Sequence, residues 1–105
     1  MAKKTNKSSC GTSFHNSTVI TTINKLKKLY GDPHCEDNSG EDKVNVEWDM
    51  ILTDSSIYKG KVFTIYDWKE YRTIGGDEFI EFHIGGMNKE ITHQAKLELD
   101  RDLNS

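Results

Sequence analysis

The segment Thr64-Ile65-Tyr66-Asp67-Trp68-Lys69, answered further on by Phe82-His83-Ile84-Gly85-Gly86, concentrates more site chemistry than any other stretch of the chain. Two aromatic rings, a carboxylate, a lysine, an imidazole and paired glycines are the residue types that grip a nucleotide. Rings stack on bases, a carboxylate or imidazole meets base edges, and cations or bare backbone meet phosphate. Tyr66, set beside His83 on an outward face, is the candidate for stacking on a base. Trp68 is open between that role and packing in a core or interface, whereas Trp48 reads as core. Asp67 reads first as the cap of a turn, with recognition of a purine edge as its alternative. Lys69 and Arg72 flank the aromatic pair and are the candidate phosphate contacts. His83 is open between bonding a neighbour and meeting a ligand. Gly85 and Gly86 are expected to supply positive φ before a helix capped by Asn88, whose amino-terminus could support an anion.

These residues need strands to carry them. Val44, Val46, Trp48, Met50 and Leu52 alternate with Asn45, Glu47 and Asp49, a period-2 pattern that predicts a strand with the polar set outward. Val62 to Asp67 is β-branched and aromatic and predicts a second. The Gly75-Gly76 turn leads to a third, Phe79 to Ile84, with Ile80, Phe82 and Ile84 inward and Phe79, Glu81 and His83 outward. If Phe63 and Ile65 point inward, then Thr64, Tyr66 and Trp68 share the outer face with Glu81 and His83. Upstream, Val19, Ile23, Leu26 and Tyr30 recur at helical spacing and predict an amphipathic helix from Ser17, stopped by Gly31-Asp32-Pro33. Residues 32–42 read as a polar loop. After Asn88, Ile91, Ala95 and Leu99 predict a closing helix.

The order α-β-β-β-α predicts an α+β fold, a small antiparallel three-stranded sheet with two helices packed on one face. Residues 1–13, rich in Lys, Ser and Thr, read as a disordered basic arm whose Lys3, Lys4 and Lys7 are spare anion contacts. Residues 14–105 read as one domain. The net charge is −3, so generic DNA or RNA binding, which rests on phosphate contacts, is not expected. Only 34% of residues are hydrophobic, a thin core for which self-association is a source of stability. No apolar run is long enough to cross a bilayer, and no signal-peptide pattern follows Met-Ala-Lys-Lys, so a cytoplasmic protein is expected. In that compartment Cys10 and Cys35 are expected as thiols.

No catalytic set stands out. There is no nucleophile elbow and no H-E-x-x-H, and two-histidine phosphodiesterase chemistry would need a pair of H-x-T/S motifs that the chain lacks. Cys10, His15, His34 and Cys35 match no compact zinc spacing, so neither metal nor cofactor is expected. Glu47, Asp49 and Glu81 form either a carboxylate cluster on the open face or ordinary solvated strand charges. Leu29-Tyr30-Gly31-Asp32-Pro33-His34, Val46-Glu47-Trp48, the Thr64–Lys69 segment and His83-Ile84-Gly85-Gly86 together resemble the phage anti-CBASS sponges. That resemblance spans roughly residues 17–95. It implies a non-catalytic homo-oligomer, a tetramer in the type described, acting in the cytoplasm of the infected bacterial host. There it would sequester cyclic dinucleotides such as 3′3′-cGAMP from the immune effector. Two other classes remain open: a module that blocks a host protein through an acidic, aromatic sheet face, including by nucleic-acid mimicry, and a cyclic-nucleotide phosphodiesterase.

Overall fold

The computed structural model describes residues 1–37, 39–41 and 43–105, so Asn38 and Asp42 of the polar loop lie outside the described residues. Its elements run β1 (Lys3–Lys4), β2 (Ser13–Thr21), α1 (Ile23–Tyr30), β3 (Cys35–Glu36), β4 (Val46–Ile51), β5 (Val62–Tyr66), β6 (Ile80–Gly86) and α2 (Lys89–Leu103). The sheet is antiparallel and six-stranded, in the order β1-β4-β5-β6-β2, with β3 also pairing β4. The three-stranded expectation is therefore corrected: β4, β5 and β6 are its centre, and three further strands extend it.

The largest addition is β2, which takes residues assigned by pattern to a helix. Thr18, Val19, Ile20, Thr21 and Thr22 are consecutive β-branched residues, stiff at χ1 and better suited to a pleated surface than to a helix. Val19 pairs with Phe82 and Thr21 with Ile80, and all four are buried. Helix α1 starts only at Ile23, where the Thr22 hydroxyl caps it by accepting from the Lys25 amide at 3.0 Å. Ile23, Leu26 and Tyr30 then form its buried stripe.

Residues 1–13, expected as a disordered arm, are tied to the domain at both ends. Lys3 and Lys4 pair with Ile51 and Met50, Ala2 is buried, and the Ala2 amide donates to Asp102 Oδ2 at 3.0 Å. The Tyr30 hydroxyl donates to the same oxygen at 2.6 Å, joining the amino-terminus, α1 and α2 at one carboxylate. Two-residue strands leave no readable periodicity, which is why a polar composition hid this anchoring.

Val46, Trp48, Met50, Phe63, Ile65, Phe82 and Ile84 form the inner face of the sheet. They join one core with Ile23, Leu26 and Tyr30 of α1 and Ile91, Ala95 and Leu99 of α2. Helix α2 packs on β2, β5 and β6, capped by Asn88, whose Oδ1 accepts from the Ile91 amide at 2.8 Å. Asn45, expected to face outward, is fully buried. The opposite face carries no helix among the described residues. It is here that Tyr66, Trp68 and His83 gather.

Candidate functional site on the open sheet face

Register assembles the site. Tyr66 lies opposite Glu47 on one side and His83 on the other, and Thr64 lies opposite Asp49 and Gly85. On the outer strand, Phe14 lies opposite Gly85 and Thr18 opposite His83, with a register shift between them. The shift carries Asn16 at φ 67° and brings the Phe14 ring onto His83, centroids 4.1 Å apart and planes 20° from parallel. Tyr66 meets His83 edge-on at 5.6 Å and Trp68 at 6.1 Å, and Trp68 lies 6.3 Å from His83. Four rings thus converge on one surface at spacings typical of aromatic pairs.

Trp68 remains 40% exposed. Lys69 Nζ stands 5.6 Å from its ring centroid and Lys43 Nζ 5.9 Å, cation–π distances on both counts. The backbone sets up this pairing. The Lys69 amide donates to the Lys43 carbonyl at 2.7 Å, and Lys69 and Tyr71 are left-handed at φ 55° and 51°, which side-chain-bearing residues rarely adopt. Among the described residues neither lysine forms an ion pair.

Asp67 anchors that loop from beneath. Its carboxylate is fully buried and accepts from the Asn45 amide at 2.7 Å, the Val46 amide at 2.9 Å and Asn45 Nδ2 at 2.9 Å. Its acceptor capacity is spent on the start of β4, a cross-strand tie rather than the expected cap of the turn after β5, and away from any base edge. Arg72 is likewise committed. Its guanidinium grips Glu78 through both terminal nitrogens and sits 3.7 Å from Glu70, and the Glu78 hydrogen bond raises its pKa further. The structure places Arg72 in that ion pair, and the ring cluster holds Lys43 in its stead.

Gly85 and Gly86 do not have the expected positive φ. They are the last residues of β6, and what they supply is space. A Cβ on Gly85 would lie 2.4 Å from Thr64 Oγ1, and one on Gly86 would lie 2.4 Å from Thr92 Oγ1. Gly85 is the bare floor of a cavity of about 230 Å³, walled by Ser9, Thr12, Ser13, Val44, Glu47, Thr64, Tyr66 and Trp68. That is below the roughly 300–1,000 Å³ of pockets enclosing a drug-sized ligand, and it suits a single ring system.

The electrostatics of the cavity centre on Glu47. Burial raises its pKa to about 7, helped by a hydrogen bond to Asp49 and by that residue's charge. Burial also raises the Tyr66 hydroxyl, with the charge of Glu47 adding to it. Burial lowers the His83 imidazole, against the pull of Glu81, which favours a neutral, stackable ring. Phe14 and Lys43 escaped sequence reasoning: the first opens a strand hidden in polar sequence, and the second lies in a loop 25 residues before Trp68. Among the described residues no group of three His, Cys, Asp or Glu is placed to hold a metal. Among the described residues no helix is long and apolar enough to cross a membrane.

No protein-family model, curated protein or solved structure matches the chain. The functional reading therefore rests on the site.

Proposed function

We propose that the protein captures cyclic dinucleotide immune signals, such as 3′3′-cGAMP, on its open sheet face and holds them without chemical change. Sequestration of this kind would blunt antiphage signalling in the cytoplasm of an infected bacterium. The observation that carries the reading is the convergence of Phe14, Tyr66, Trp68 and His83 with Lys43 and Lys69 against Trp68. Stacking surfaces answer the bases, and two lysines beside Trp68 answer the phosphodiesters of a small anion despite a net charge of −3.

The cavity has the volume for one base, and a cyclic dinucleotide has two. A homo-oligomer, a tetramer for example, would allow a second copy to grip the other base. Ile20 and Phe79, 66% and 72% exposed beside a groove of about 470 Å³, are apolar surface that such an assembly would cover.

The test is to mix the protein with a panel of cyclic dinucleotides, remove free ligand, heat-denature the complex and identify what is released. Intact ligand in stoichiometric amount is the expected result. Altered ligand would indicate a phosphodiesterase, and no capture would leave the protein-blocking module as the better reading.

A further inference from the structure

The cavity beside the rings has an acceptor-rich wall. Among the described residues that line it, Glu47 is the charged one, and it stands cross-strand from Tyr66. Two positions on, Asp49 shares its face of β4, with one carboxylate oxygen buried and without a hydrogen-bond donor. Among the described residues this wall offers carboxyl oxygens and no N–H donor to Glu47, whose hydrogen bond is to another carboxyl, that of Asp49.

This is the reverse of Asp67, whose carboxylate takes three protein donors. Without a ligand, burial and the contact with Asp49 favour the protonated form of the Glu47 carboxyl. A ligand edge with two adjacent donors would favour the ionised form instead, sending that proton to solvent. The Watson–Crick edge of guanine presents such a pair, N1–H and N2–H, and a carboxylate accepts both. Adenine presents one donor beside an acceptor, so the ionised carboxylate meets it poorly.

We infer that Glu47 is a specificity-determining residue that selects guanine as the base seated in this cavity, a proposal that rests on the capture reading above. The base would lie against Tyr66 and Trp68 with its donor edge toward Glu47, over the side-chain-free floor at Gly85.

The experiment compares the affinities of 3′3′-c-di-GMP and 3′3′-c-di-AMP for the full chain and for Glu47→Gln, at pH 8, where Glu47 is ionised. The wild type should favour the di-guanine ligand by about tenfold or more, the scale of a charge-assisted contact. Glu47→Gln should bring the two affinities to within about threefold, mainly by weakening the di-guanine complex. Glu47→Asp, which retracts the carboxylate by one methylene, should also lose the preference. That second variant decides the matter if the glutamine protein does not fold. Equal wild-type affinities, or a preference that survives both substitutions, would overturn the role of Glu47 and leave capture standing. Wild-type binding of neither ligand would overturn capture itself, and this inference with it.

Discussion

Asp67 and Glu47 lie at the same end of neighbouring strands, yet their surroundings differ in kind. Asp67 is enclosed by two backbone amides and the Asn45 side chain, and every contact serves to hold β4 against the loop that follows β5. Glu47 lines an open cavity with rings around it and with an acidic neighbour. Asp102 belongs with Asp67, since Tyr30 and Ala2 both donate to it. A buried carboxylate surrounded by donors is part of the framework. One set beside the rings, with no N–H donor among the described residues, is where the proposed ligand edge would sit, and this contrast separates architecture from candidate site.

Removing the framework member should have the largest effect. Asp67→Ala leaves two buried backbone donors without an acceptor, each costing about 1–3 kcal/mol. A loss of about 3 kcal/mol or more in urea unfolding is expected, out of the roughly 5–15 kcal/mol available to a small domain. A shift below about 0.5 kcal/mol, the range of an ordinary surface change, would break the contrast. Gly85→Ala should cost about 1–3 kcal/mol through overpacking. Its clash is with Thr64 Oγ1, so adding Thr64→Ala should restore much of the loss. If the double variant is no better than the sum of the singles, the floor of the cavity is held by something other than that contact.

On the site side, Trp68→Ala should weaken cyclic dinucleotide binding by about 1–3 kcal/mol and leave the unfolding midpoint nearly unchanged, because the ring is partly exposed. Calorimetry on the folded variant checks this.

The carboxyl of Glu47 has a folded pKa of about 7 against an ordinary 4.5, so the folded state holds its proton more tightly than the unfolded state. Stability should therefore fall as pH rises from about 4.5 to about 7 and level off above. Glu47→Gln should flatten that slope in thermal melts and be the more stable protein at pH 8. For a half-exposed group the gain is about 1 kcal/mol at most. A slope identical in the two proteins would show that the proton is held elsewhere. Arg72→Ala should do least to binding, a change within about 1 kcal/mol, since its charge is already spent on Glu78 and Glu70. A larger loss of affinity would move the phosphate contact back to Arg72.

Much of the sheet centre was legible in residues. The alternation through Val46, Trp48 and Met50, the inward Ile80, Phe82 and Ile84, and the Asn88 cap all have local physical causes and appear in the fold. Tyr66 and His83 came together because a single choice of inward residues on β5 places them as a cross-strand pair. Strand β2 was lost because Val19, Ile20, Ile23 and Leu26 satisfy a helical stripe, and only the unbroken β-branched run argues otherwise. Lys43 and Phe14 reach the site through tertiary register, for which no local spacing exists. The Arg72 ion pair was hidden for the same reason, as its partner Glu78 lies across a turn whose geometry spacing does not reveal.

The most direct test of capture is a tryptophan fluorescence titration with 3′3′-cGAMP. Trp48 is fully buried and Trp68 is exposed, so a ligand at the ring cluster reports through Trp68. Saturable quenching that disappears in Trp68→Phe, with unaltered ligand recovered afterwards, is the result the account predicts. An emission spectrum unmoved by ligand in the millimolar range, or a linearised product accumulating during the titration, would contradict it.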